Sequence, residues 1–212
     1  MSTPNTKARI TEITLMLFNH QGVASISTNH IALELDISPG NLYYHFKSKE
    51  ALIDVLFTAY ESELRSLFNH QFESTTIEDA WFFLHLGFEI AARYRFVHQD
   101  TEHLLQKCPS LIPRFKRILR SYFDSLLSLL NALSSQNILH RDAESSLEEL
   151  ATNMLLVCTQ WISFKQHFSD FPAQAPAGTD LSQGVAQALS MVLPYLNAEN
   201  QAHLRALQKA YS

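Results

Sequence analysis

Glycine is scarce in this chain. Five among 212 residues leave little material for a turn-rich β protein or for a Gly-rich nucleotide loop. Cysteine is scarcer still. Cys108 and Cys158 are the only two, in no CxxC and beside no histidine. They make no disulfide framework, which fits a reducing compartment, and nothing supports a catalytic thiol. No apolar run reaches the ~18–20 residues needed to span a bilayer. The opening MSTPNTKARITE lacks the apolar core of a signal peptide. A soluble, cytoplasmic protein with no membrane partner is the expectation. Basic charge is short as well: 16 Lys and Arg against 21 Asp and Glu give a formal net charge of −5. Taken whole, that balance speaks against a polyanionic partner.

The distribution of charge says more than its sum. Residues 1–50 carry four bases and four acids, and residues 51–90 one base against seven acids. Residues 91–120 reverse this, with seven bases against two acids. Salt limits a surface charge's reach to about 8 Å, so an acidic chain can still present a local basic footprint.

What is abundant is helix-forming pattern. Lys7–His20 place Ile10, Ile13, Thr14, Leu17 and Phe18 at helical spacing, and Gly22 can take the left-handed backbone of a C-terminal cap. Thr28 is read as the N-cap of a second helix to about Leu35. Ser38 caps a third, with Pro39 at its first position, where the missing N–H costs nothing. Ser48 caps a fourth, Lys49 to about Phe72. Thr76 and Asp79 suit a capping box for a helix to about Tyr94. A short helix from Asp100 stops at Pro109, and Ser110 caps a long one to about Leu133. Asp142 begins another, to about Phe168. The Pro- and Ala-rich stretch over residues 171–180 reads as a loop. Leu181–Leu193 and a terminal helix to about Ala210 follow, with the bend at Pro194 or Asn197. No segment alternates with period two. The expectation is an all-α chain of nine or ten helices: a helix-turn-helix domain over residues 1–50 and a larger helical domain over 51–212.

The second and third helices, joined by about four residues, have the spacing of a helix-turn-helix, whose second helix enters the major groove of DNA. Its residues suit that task. Gly40 lets backbone come close to a phosphate or base edge. Asn41 can donate and accept at a base edge, most naturally adenine. Tyr43, Tyr44 and His45 can bond phosphate oxygens, contacts that fix register without reading sequence. Lys47 and Lys49 add charge where the fourth helix begins, and that helix's N-terminal N–H groups make a natural phosphate site. Periodicity alone leaves packing open as the alternative, although Tyr43 and Tyr44 point about 100° apart and cannot share Leu42 and Phe46's inner face.

STNHIALELDISPGNLYYHFKSKEALIDVLF, residues 27–57, resembles the DNA-binding region of TetR/AcrR-family regulators, and GNLYYHFKSKEAL matches that family's most recognisable segment nearly residue for residue. The resemblance is good over about residues 5–57. The ending MVLPYLNAENQAHLRAL is similar, less specifically, to the tail of one TetR-like subgroup. The resemblance implies a homodimer whose two N-terminal heads each read half of a palindromic operator on double-stranded DNA. It also implies a C-terminal helical domain that dimerises and binds a small-molecule effector, which releases DNA. By the same resemblance Thr28, Pro39, Gly40, Asn41, Tyr43, Tyr44, His45 and Lys49 are DNA contacts. Where Pro39 and Gly40 stand the family often has a small or basic residue, so base specificity does not carry over.

In the larger region the apolar positions are heavily aromatic, and most such residues fill a core. An effector pocket needs apolar walls and a few directed polar groups. Trp81, Phe88, Tyr122, Cys158 and Trp161 are candidates for the walls, and His85, His103 and Asn153 for polar groups, with Thr159, Gln160 and His167 as further polar choices. The basic run Arg114, Lys116, Arg117 and Arg120 is read as a solvated face that can pair with the acids of residues 51–90, with attraction of an anionic effector as the other reading. Dimerisation is assigned to the helices over 143–168 and 181–193, where Gly184, Ala186, Ala188 and Ser190 permit close approach and the two-fold interface is self-complementary.

Ten histidines invite a metal, but His98 and His103 are five apart, a poor spacing on a helix, and no Cys-rich or HExxH cluster exists. No metal and no cofactor are expected. The reading is a ligand-responsive transcriptional regulator, a repressor by family precedent and no enzyme. The rivals are an all-α enzyme with a hydrophobic pocket, which lacks a nucleophile–base pair or phosphate loop, and a protein-interaction module whose helix-turn-helix no longer binds DNA.

Overall fold

A computed structural model describes residues 6–72, 75–99, 101–140, 146–167 and 180–210. Among them the chain is helical, with one isolated antiparallel bridge between Leu139 and Leu196 and no strand. Eleven α-helices are described: α1 Thr6–Gln21, α2 Thr28–Glu34, α3 Pro39–His45, α4 Lys49–Phe68, α5 Ile77–Arg93, α6 Arg95–Gln99, α7 Thr101–Lys107, α8 Ile112–Ser135, α9 Leu147–His167, α10 Asp180–Ser190 and α11 Ala198–Ala210. Short 3-10 turns cover Pro109–Leu111 and Leu193–Tyr195. The all-α class stands.

The helix ends follow from local side-chain chemistry. Gly22 has φ 77° and its N–H donates to the Phe18 carbonyl, closing α1. Ser38 Oγ accepts from Asn41 N–H at 3.1 Å and Ser48 Oγ from Ala51 N–H at 3.2 Å. Thr76 and Asp79 form the reciprocal capping box of α5: Thr76 N–H donates to Asp79 Oδ2 at 2.9 Å, and Asp79 N–H to Thr76 Oγ1 at 3.2 Å. Pro194 lies in a 3-10 turn and Asn197 Oδ1 caps α11, accepting from Asn200 N–H at 2.9 Å.

Three ends differ from expectation. The cap of α2 is Ser27, whose Oγ accepts from His30 N–H, and Thr28 is the first helical residue. Ser110 caps nothing: it sits inside the 3-10 turn, and α8 starts at Ile112. Helix α4 ends at Phe68, and Phe72, at a spacing that mimics continuation, packs from beyond it edge-on against Phe83 at 5.2 Å. Asp100, Asp142 and residues 171–179 lie outside the described residues.

The chain divides into two compact units, Met1–Glu63 with Tyr94–Phe115, and Leu64–Arg93 with Lys116–Ser212. This division by compactness is drawn along other lines than one by role. In the first unit, Ile10, Phe18, Ile31, Leu42, Phe46 and Phe57 are buried together with Tyr60 and Phe96. Asn19 ties α1 to α6, its Oδ1 accepting from Phe96 N–H at 2.9 Å. Arg114 ties the start of α8 to α4. Its guanidinium donates to Asp54 at 2.7 Å, to Glu61 at 2.8 and 2.9 Å and to Thr58 at 2.9 Å, and lies 5.0 Å from the Phe57 ring centroid. Of the basic run, then, Arg114 pairs with the acids of α4, while Lys116, Arg117 and Arg120 are exposed.

The second unit is one apolar core formed by α5, α8, α9, α10 and α11. Gly184 of α10 lies against Phe88 and Trp161, so close that a Cβ would come within 2.6 Å of the Phe88 ring. Gly184 and Ala188 are buried in this unit. Their small size serves packing within the chain, while Ala186 and Ser190 are half-buried.

Candidate nucleic-acid interface

The inner positions of α3, Leu42 and its C-cap Phe46, are fully or almost fully buried. Helical geometry then turns the remaining side chains outward. Pro39, Gly40, Asn41, Tyr43 and Tyr44 are exposed, and His45 is half-buried. Tyr44 is 77% exposed, and its ring meets His45 edge-on at 5.1 Å. Tyr43 leans toward α2, its hydroxyl 3.0 Å from Thr28 Oγ1. Nothing but Ser38 Oγ at 3.9 Å lies near the place a Gly40 Cβ would occupy, so the backbone there is open to an approaching surface.

A shallow depression of about 430 Å³ adjoins this face. Ser27, Thr28, Tyr43 and Lys47 line it, with Ser48, the cap of α4, and Lys49 and Glu50 of its first turn. Hydroxyls, an exposed ammonium and the positive end of a 20-residue helix converge there, which is what an anionic oxygen requires. Two charges at this rim are already engaged. The Lys49 ammonium turns inward, donating to the Val23 carbonyl and lying 6.0 Å from the Phe18 ring centroid. Burial pushes its pKa down, with Glu50 acting the other way. The Glu50 carboxyl is held below its usual range by accepting its own N–H and the Ser48 hydroxyl. Lys47 is therefore the cation that faces outward from the rim.

The effector candidates fall in different places. Trp81, Phe88, Tyr122 and Cys158 are buried in the second unit's core and Trp161 packs against it. Burial pushes the Cys158 thiol up to about 12, and the Tyr122 hydroxyl bonded to it pulls the other way. His85 is half-buried on α5, with Nε2 3.3 Å from Glu89 and Nδ1 buried without a hydrogen-bond partner. Asn153, on α9, is exposed, as are Gln160 and His167. His103 lies on α7, in the first unit. Among the described residues no group of three or more His, Cys, Asp or Glu is placed to hold a metal ion, and no helix is long and apolar enough to cross a membrane.

Residues 10–56 match the family model described as bacterial regulatory proteins, tetR family. Residues 59–204 match a second, described as bacterial transcriptional repressor. The chain belongs to the TetR family. This TetR-family regulator is similar over its whole length to the crystal structure of a TetR-family transcriptional regulator from Marinobacter aquaeolei VT8. The two are 32% identical, the match covers 98% of this chain and 99% of that one, and the TM-score is 0.87. A tetR-family regulatory protein from Rhodococcus RHA1, 22% identical over 90% of this chain and 98% of its own, shares the fold at a TM-score of 0.65. An HTH-type transcriptional regulator of Staphylococcus aureus (strain bovine RF122 / ET3-1) is 43% identical over 60 residues, 28% of this chain. The chain spans 31% of that relative's length. TetR-family members are transcriptional regulators and not enzymes, which removes the catalytic rival.

Proposed function

We propose that this TetR-family regulator is a repressor that binds a palindromic operator as a homodimer and is released by a small-molecule effector. The observation that carries the reading is the exposed polar face of α3 beside the depression at the first turn of α4. Asn41 faces outward for bases, and the exposed Lys47 lines the depression with the paired Tyr43 and Thr28 hydroxyls, for phosphates. The description of the family model over residues 59–204 supports repression. Dimerisation is assigned to α9 and α10. Leu156, 57% exposed, and Phe164 stand eight residues apart on α9, hence on one face. The effector is assigned to the second unit, which holds the apolar core and where His85 Nδ1 is a buried polar atom without a hydrogen-bond partner.

A selection of bound DNA from a random pool, followed by gel shifts over a salt series, tests the reading. A palindrome with half-sites about one helical turn apart is expected, with affinity falling steeply as salt rises. Tyr43→Phe and Lys47→Ala should weaken every sequence alike. Salt-independent binding, or none, would sink the repressor and favour an interaction module.

A further inference from the structure

We infer that α3 reads A·T pairs: an adenine facing Asn41 and neighbouring thymine methyls fix each half-site, with no guanine gripped by a cation. The inference rests on the operator-binding reading above and names the class of DNA it takes.

The major-groove edge of each base asks for different chemistry. Guanine offers two acceptors, met most often by a bidentate Arg or Lys; cytosine offers an amino donor, met by a carboxylate. Between Asp36 and Lys47 the chain has no Lys, Arg, Asp or Glu. The four cations of residues 1–50 are Lys7, Arg9, Lys47 and Lys49, and none lies on α3. Lys7 and Arg9 are on α1, with the Lys7 ammonium 5.6 Å from the Phe46 ring centroid. Lys49 is turned inward to Val23. Lys47 lies past the end of α3, in the depression with Ser27 and Thr28. The reading helix therefore carries no Arg or Lys for guanine and no carboxylate for cytosine, and His45, its last residue, is half-buried against the Tyr44 ring.

Adenine offers an acceptor and a donor side by side, the complement of a carboxamide. Asn41 carries the carboxamide on α3. It is exposed, its backbone N–H is anchored to Ser38 Oγ, and its side chain makes no hydrogen bond within the described protein. It sits in the first turn, the part of a recognition helix that meets base edges. Thymine adds a methyl group, which favours apolar surface. Around Asn41 the helix supplies that surface: the exposed Pro39 ring, the bare Gly40 backbone and the exposed Tyr44 ring. The Ser38 hydroxyl is already used by the cap, and the Tyr43 hydroxyl is directed at Thr28.

The test uses base analogues on the palindrome selected by the full chain. Replacing adenine by 7-deazaadenine, which lacks the N7 acceptor, should weaken binding about five- to hundred-fold at one symmetric pair of positions. Asn41→Ala should abolish that sensitivity, and Asn41→Arg should move the preference at those positions from adenine to guanine. Uracil for thymine beside them should weaken binding. Replacing every guanine of the half-sites by 7-deazaguanine should change affinity less than about two-fold. An enriched palindrome that collapses with 7-deazaguanine, or ignores 7-deazaadenine at every position, overturns the inference and leaves operator binding standing. A pool with no enriched palindrome overturns operator binding itself, and the inference with it.

Discussion

Gly184 and Gly40 show how differently one missing side chain can be used. At Gly184 a Cβ would come within 2.6 Å of Phe88 Cε1 and 2.8 Å of Trp161 Cδ1, both rings held by the second unit's core. Gly184→Ala should therefore lower stability by about 1–3 kcal/mol, the usual cost of overpacking, seen as a lower denaturation midpoint at unchanged slope. Gly40 is helical and open, so Gly40→Ala should leave stability unchanged or raise it by up to about 1 kcal/mol. Neither outcome is legible in the sequence, which prints the same letter at both. Lys49 makes the same point. Its position in the quoted segment suggests an outward cation, but only the folded chain brings Val23's carbonyl to it. Several caps are legible in the sequence, although the cap of α2 is Ser27 and not Thr28, and Ser110 caps nothing. Ser38, Ser48 and the Thr76–Asp79 pair act on their own backbone within three residues, so their geometry needs no tertiary partner.

At the scale of elements, the capping box of α5 gives a pH-dependent contribution. Thr76 holds the Asp79 carboxyl below its ordinary value of 3.8, first through its backbone N–H and then through its hydroxyl. A depressed carboxyl stabilises the fold fully above its ordinary value and loses that contribution as pH falls through its folded-state value. Thr76→Ala should cost about 1 kcal/mol at pH 7. Asp79→Asn should be destabilising at pH 7 and close to neutral in urea titrations at pH 2. Arg114 joins two elements, α8 and α4, through three different acceptors with its side chain 18% exposed. An ammonium cannot reproduce that planar fork. Arg114→Lys should lower stability by about 1–3 kcal/mol, and Lys116→Ala, on the exposed side, by less than about 0.5 kcal/mol. The basic run as a whole was visible in sequence; which member turns inward depends on where α8 begins. That start was misplaced because Pro109–Leu111 closes a 3-10 turn first. The separation of α5 from α6 at Tyr94 was visible, but the short α6 itself was not, since five residues carry too little periodicity.

For the whole molecule, the net charge of −5 and the family's DNA-binding role are reconciled by position: the face of α3 carries no acid. On the proposed reading, Leu156→Asp with Phe164→Asp should yield monomers in sedimentation velocity. The double variant should keep the helical content of the parent and lose tight binding to the full palindrome, because each head alone grips half the phosphates. A dimer that survives both charges would move the interface elsewhere.

The two compact units each hold one of the chain's two cysteines, Cys108 in the first and Cys158 in the second. Both are buried, and burial raises both thiols, so little reactive thiolate is offered while the chain is folded. Alkylation in graded urea, read by peptide mass, thus times the opening of each unit separately and without any engineered probe. Equal labelling rates would mean that the chain unfolds as one; an early Cys108 would mean that the head-bearing unit opens while the other stays closed.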